Sequence, residues 1–258
     1  ELLGGADFVM ANPPFNVDRV DKERIKDDPR FVFGIPAADN ANYLWIQIFY
    51  KALSEKGRAG FVMPDSASDA RGKEKDIRKK ILETGSVSAV ISIGTKFFYT
   101  VGQSCMLWFL DRNKTSYRND EVLFVDVRRI YKQLDRAHRE FTDEQLAFIA
   151  NVVRLFRGED LEQECLDSDE FKEKFPDGVY RDIPGLCRSV DLSEIESQDW
   201  SLNPVRYVEM DSNTHEDDEF LPRLSDIHQM LGVLDDQSSE LEELMELNLQ
   251  KIMGVHDD

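Results

Sequence analysis

Apolar positions in the first half of the chain alternate between two spacings. Residues 7–11 (DFVMA) form a short buried-strand pattern that ends at Asn12-Pro13-Pro14-Phe15. After a long polar loop, Leu44, Trp45, Ile48, Phe49, Ala52 and Leu53 recur along one face of a predicted helix over residues 42–55, with Asn40 as its cap and Gly57 as its stop. Residues 58–63 then read as a strand interrupted by Pro64, 73–83 as a basic helix ending at Gly85, and 87–93 as the next strand. Residues 104–110, after a turn containing Gly102, and 122–127 are two further strands, expected to pair like a hairpin. This order predicts an α/β fold around a parallel sheet.

Past Thr142 the texture changes to one helix over 143–156, an acidic loop-rich stretch, and short elements around 187–190 and 205–209. From Leu224 the positions Leu224, Ile227, Leu231, Leu234, Ser238, Leu241, Met245, Asn248 and Ile252 step alternately by three and four, a coiled-coil spacing with polar members at Ser238 and Asn248. Two readings stay open for this helix: packing on its own domain, or contact with a partner helix. The division that follows is 1–140, 141–222 and 223–256.

Charge sharpens that division. The net charge is −19, but residues 1–156 hold 24 Lys+Arg against 22 Asp+Glu, a net of +2, and residues 157–258 hold 8 against 29, a net of −21. The first part is therefore compatible with a polyanion, whose binding depends on neutralising phosphates; the second is not. Cys105, Cys165 and Cys187 lie far apart with no histidine near them in sequence, so neither a disulfide framework nor a metal site is expected. No apolar run approaches a membrane span and no leader pattern is present, which points to a cytoplasmic protein. The start at Glu1, a few residues before an apolar strand, reads as a fragment of a longer gene product.

The candidate chemistry lies in Asn12-Pro13-Pro14-Phe15, a kind of run expected by chance in about one chain in a hundred. A turn explains the tetrapeptide alone as well as an active site does. Its place after a strand favours the second reading, because open α/β sheets bind ligands at their carboxyl edge. An exocyclic amino group is a poor nucleophile while its lone pair is delocalised into the ring. The side-chain oxygen of Asn12 and the carbonyl of Pro13 could each accept one amino hydrogen and localise that pair for attack on a sulfonium methyl group. Consecutive prolines hold the carbonyl rigidly, and Phe15 offers a face on which an extruded base can stack.

The tetrapeptide resembles the catalytic motif of amino-methyltransferases acting on adenine in DNA. Further runs are similar to the modification subunit of type I restriction-modification systems: Gly34-Ile35-Pro36, Asn40-Ala41-Asn42-Tyr43-Leu44-Trp45, Gly57-Arg58-Ala59-Gly60-Phe61-Val62-Met63-Pro64, Lys96-Phe97-Phe98-Tyr99 and Leu202-Asn203-Pro204-Val205-Arg206-Tyr207. The resemblance implies part of a Rossmann-like methyltransferase sheet followed by a mostly helical C-terminal tail. It assigns Asn12, Pro13, Pro14 and Phe15 to catalysis, Phe15 and Phe98 to the target-base pocket, and Asn12, Asn42 and Tyr43 to the cofactor side. Arg71, Lys73 and Lys75 are candidates for DNA phosphates, against the plainer reading of a solvated helix face.

The implied cofactor is S-adenosylmethionine. The implied partners are DNA, a second modification subunit and a specificity subunit bound through the C-terminal helix; a restriction nuclease subunit is left open, and no membrane is involved. One departure stands out. The Gly-rich turn and acidic residue that hold the donor in this family lie upstream of the tetrapeptide, as does a helical domain, and neither is found here. The isolated chain is expected to hold the donor poorly, so an assembly fragment without activity of its own is the alternative.

Overall fold

A computed structural model describes residues 3–37, 41–97, 103–114, 118, 120–135, 138–163 and 168–208, together with 238, 241 and 245. Residues 1–209 form one compact unit and 210–258 a second. The first unit is built on strands β1 (Ala6–Ala11), β2 (Leu53–Pro64), β3 (Val87–Ile93), β4 (Cys105–Asp111), β5 (Glu121–Asp126) and β8 (Cys187–Asp191), with a two-residue pair, β6 (Lys132–Gln133) and β7 (Arg139–Glu140), set apart. Its helices are α1 (Lys22–Ile25), α2 (Asn42–Ala52), α3 (Asp65–Ser68), α4 (Lys73–Glu83), α5 (Asp143–Arg157), α6 (Asp169–Lys174) and α7 (Leu192–Ser197).

The six-stranded sheet has the order β1-β2-β4-β3-β5-β8. Pairings β1–β2 and β3–β5 are parallel; β2–β4, β3–β4 and β5–β8 are antiparallel. Thus β1, β2, β3 and β5 run in one direction and share one carboxyl edge. The sheet is mixed rather than parallel, and the expected hairpin of the fourth and fifth strands does not form. Instead β4 lies between β2 and β3, the central position that suits a strand whose Trp108 and Leu110 are fully buried on one face. The sheet also continues beyond residue 140, since Cys187–Asp191 supplies its last strand.

Two apolar layers cover the sheet. On one side α2 and α4 pack Tyr43, Ile46, Ile77 and Ile81 against Phe61, Met63, Trp108 and Phe124. On the other, α5 packs Phe148, Val152 and Phe156 against Ile91, Leu123 and Val125. Helix α5 starts from a capping box in which Thr142 and Gln145 satisfy each other's backbone N–H groups. The buried positions of α2 are Asn42, Tyr43, Leu44, Ile46 and Gln47, a face rotated from the predicted one. The polar Gln47 hid it. Its Oε1 accepts from the Phe33 N–H and its Nε2 donates to the carbonyls of Gly34 and Tyr43, which makes burial affordable.

The boundaries of α2 differ as well. Its N-cap position is Ala41, without a side-chain cap, and Asn40 lies outside the described residues. The helix ends at Ala52 and passes directly into β2, so Gly57 stops nothing; it lies within the strand, where a Cβ would come 2.6 Å from the carbonyl oxygen of Ala6. Strand β1 has no partner on its outer edge among the described residues, and Phe8 and Met10 are 81% and 93% exposed above an open apolar groove of about 800 Å³ beside α5. No described helix is long and apolar enough to cross a membrane. Of the heptad positions, Ser238, Leu241 and Met245 are described; they are helical and exposed, Leu241 at 60% and Met245 at 63%.

Candidate active site

Strand β1 delivers Asn12-Pro13-Pro14-Phe15 to the carboxyl edge of the sheet, where β2, β3 and β5 also end. Asn12 and Pro14 are exposed, Phe15 is half-buried and Pro13 is buried, so the proline anchors the loop while the amide and ring stay reachable. The next residue locks it. Asn16 takes a positive φ of 51°, a conformation asparagine tolerates better than most residues. Its N–H donates to Asn42 Oδ1 at 2.9 Å, and Asn42 Nδ2 donates back to Asn16 Oδ1 at 2.9 Å. The Ser66 hydroxyl donates to the same Asn16 oxygen at 3.3 Å, and the Ala41 N–H donates to the Val17 carbonyl at 3.0 Å.

Asn42 is therefore fully buried as the brace between the Asn-Pro-Pro-Phe loop and the start of α2. Neither Asn16 nor Ser66 stood out in the sequence. The available signal for Asn16 was an asparagine directly after the double proline, a residue type suited to a left-handed turn.

Tyr43 is fully buried too. Its hydroxyl donates to the Ala67 carbonyl at 2.5 Å and accepts from Arg78 at 3.0 Å, and burial pushes its pKa up. The polar atoms of Asn42 and Tyr43 are thus committed within the protein, which does not fit a direct hold on a cofactor. Arg78, itself buried, also donates to the carbonyls of Ala70 and Trp200. Asp69, at the end of α3, accepts from the Ser201 hydroxyl at 2.6 Å and Asn203 Nδ2 at 3.1 Å, and pairs with Arg206 at 3.2 Å. Residues 199–207 are by this means strapped across the loop that follows β2.

Arg71 and Lys73 are exposed in that loop region, whereas Lys75 pairs with Asp199 at 2.5 Å. Phe98 lies outside the described residues. Cys105 and Cys187 are buried free thiols, raised by burial to about 11 and about 12, values at which they are inert as nucleophiles at neutral pH. Among the described residues no group of His, Cys, Asp or Glu side chains converges as a metal site would require.

A family model described as N-6 DNA Methylase matches residues 2–217. The chain belongs to the N-6 DNA methylase family. Similar proteins include the type I restriction enzyme MjaIX methylase subunit of Methanocaldococcus jannaschii, 35% identical over 78% of this chain and 34% of that protein. The HindI methylase subunit of Haemophilus influenzae is 32% identical over 96% of this chain and 51% of its own length. This N-6 DNA methylase chain therefore spans between a third and a half of these two relatives. Among solved structures, the type I restriction-modification methyltransferase subunit from Streptococcus thermophilus superposes with a TM-score of 0.64 at 22% identity, covering 80% of this chain and 38% of that one. The EcoKI M protein gives 0.53 at 20% identity, covering 94% and 50%. These likenesses establish the methyltransferase-like α/β fold.

Proposed function

We propose that this chain is the target-base half of a DNA adenine N-6 methyltransferase, working as the modification subunit of a type I restriction-modification complex. The observation that carries the reading is the braced loop at the carboxyl edge, with Asn12 exposed, Pro13 buried and Phe15 half-buried. In this reading Asn12 Oδ1 and the Pro13 carbonyl accept the two hydrogens of the adenine amino group, and Phe15 stacks on the extruded base. Asn12 has no titratable group and cannot act as a base. Its contribution is to localise the nitrogen lone pair and stabilise charge developing there, with proton loss late in the transfer or after it.

The methyl donor of this reaction would be S-adenosylmethionine. Asn42 and Tyr43, the residues expected on the cofactor side, have their polar atoms used inside the protein, so no step is assigned to them. The outer edge of β1, which has no strand partner among the described residues and leaves Phe8 and Met10 exposed, is where further sheet and its covering helices would join. The heptad-spaced stretch 223–256 is assigned to contact with the specificity subunit, with a second modification subunit in the same complex.

The second reading, an assembly fragment inactive by itself, draws on the incomplete span of the chain relative to its relatives. One experiment addresses both. Methyl transfer from labelled S-adenosylmethionine to target duplex is measured for the 258-residue chain alone and for the assembled full-length enzyme, each with Asn12 and with Asn12→Ala. The chain alone is expected to be silent, and the assembled enzyme to lose transfer on substitution while still assembling. Turnover preserved in the assembled Asn12→Ala enzyme would sink the amino-activating role; turnover by the chain alone would sink the assembly-fragment reading.

A further inference from the structure

Asn12-Pro13-Pro14-Phe15 is a short bridge whose two ends are fixed by different means. At its start, Ala11 is the last residue of β1 and pairs with Phe61 of β2. Proline fixes φ at positions 13 and 14 and also keeps the residue before it extended, so the chain is stiff from the strand through Pro13. Phe15 and Asn16 are the first residues free of both restraints. The fixing of Asn16 therefore decides where the Phe15 ring stands.

Asn16 belongs to a closed ring of covalent and hydrogen bonds. Its side-chain oxygen accepts from Asn42 Nδ2 at 2.9 Å and from the Ser66 hydroxyl at 3.3 Å, and its N–H donates to Asn42 Oδ1 at 2.9 Å. The residues that follow these two partners are joined as well, because the Tyr43 hydroxyl donates to the Ala67 carbonyl at 2.5 Å. The ring runs from Asn16 through Asn42, Tyr43, Ala67 and Ser66 back to Asn16, and its three middle members other than Ser66 are fully buried. Arg78 tightens it by donating to the Tyr43 hydroxyl at 3.0 Å and the Ala67 carbonyl at 3.4 Å. Asn16 itself is exposed, and a turn alone would ask of it only the positive φ of 51°, which glycine meets without strain. The reciprocal amide pair and the serine are more than a turn requires.

We propose that Asn16 is a positioning residue: through its side-chain oxygen it sets the Phe15 ring, and with it the extruded adenine, in line for methyl transfer. The inference rests on the reading that Asn12 and Phe15 receive that base. Asn16 touches neither base nor donor in this arrangement and acts through Phe15. A base stacked on a ring that wanders is still bound, but its amino nitrogen is aligned for attack less often. The loss on removing the oxygen therefore belongs in kcat rather than in KM.

The test is steady-state methyl transfer by the assembled full-length enzyme on its duplex target. Wild type is compared with Asn16→Gly, Asn16→Asp, Phe15→Ala and the double variant Phe15→Ala/Asn16→Gly, with thermal melting and size exclusion reading the fold and assembly of each. Glycine keeps the backbone turn and its N–H bond and removes only the side-chain oxygen; aspartate puts an acceptor back. Asn16→Gly should lose about ten- to hundredfold in kcat, with KM for the duplex within about twofold of wild type. Asn16→Asp should recover most of that loss, and Asn16→Gly should cost little further once Phe15 is alanine. Four results overturn the proposal: an unchanged kcat in Asn16→Gly, equal losses with glycine and aspartate, a loss confined to KM, or the same factor lost with and without Phe15. A fall in melting temperature or assembly that accounts for the lost rate overturns it too. Asn12→Ala is run alongside. A silent Asn12→Ala with Asn16→Gly at full rate refutes the positioning role alone, whereas turnover by Asn12→Ala refutes the reading beneath it.

Discussion

At the scale of single residues, the site is made by small polar side chains whose hydrogen bonds are used up in holding a loop. The Asn16–Asn42 reciprocal pair holds the loop while Asn12 stays exposed and Phe15 half-buried. Phe15 then carries a prediction. Replacing it with Ala removes a stacking face worth about 1–3 kcal/mol, so Phe15→Ala in the assembled enzyme should bind the extruded base about 5–150-fold more weakly, while Phe15→Trp retains it. Fluorescence of 2-aminopurine at the target position reads the extrusion directly, and an unchanged signal in Phe15→Ala would remove the ring from the pocket. The Asn-Pro-Pro-Phe motif itself was legible in the sequence. Its brace was not, because the partners lie 26 residues apart and asparagines carry no pattern.

At the scale of elements, the segment 199–207 is tied into the same compact unit as β1, β2 and α3. Tyr207 stacks on Phe124 at 4.2 Å and its hydroxyl donates to the Ser201 carbonyl, while the Leu202 N–H donates to the Ser68 carbonyl at 3.0 Å. Asp69 gathers three donors from this strap. Asp69→Ala should cost about 2 kcal/mol, and should speed hydrogen exchange at the Leu202 and Val205 amides more than in β3. Equal exchange in the variant would mean that Arg78 and packing hold the strap without Asp69. Helices α4 and α5 and strand β3 lie where the sequence reading put them, α4 as a basic helix ending before Gly85 and β3 as a mostly apolar run. The face of α2 was misread because its buried Gln47 looks like a surface residue until its three partners are known.

For the whole molecule, buried ionisable groups set the pH dependence of stability. Lys114, packed at the start of β3 and β5, donates to the carbonyls of Val87 and Glu121, and burial pushes it down from 10.5 to about 8. Between those values the unfolded chain binds a proton that the folded chain does not, so this group adds stability as pH rises from about 8 to 10.5. The thiols of Cys105 and Cys187, raised from 9.0 to about 11 and about 12, act in the opposite sense above pH 9. The difference between wild type and Lys114→Met isolates the lysine. In urea titrations it should be flat below pH 8 and shift in favour of wild type from 8 to 10.5; a difference independent of pH across that window would show that the lysine keeps its ordinary pKa.

Local pattern was enough for the α/β class, the alternation of elements, the place of Asn12-Pro13-Pro14-Phe15 after the first strand, and the family. The first three follow from side-chain periodicity and backbone stiffness over a few residues, which a linear reading contains; the family followed from the resemblance of the ordered motifs. Tertiary structure alone decided that β4 inserts between β2 and β3, that Cys187–Asp191 closes the sheet, and that Asn42 and Tyr43 are committed inside the protein. Each of these depends on groups far apart in the chain satisfying one another's hydrogen bonds and charges on burial, and that pairing is settled only when the strands are ordered in space.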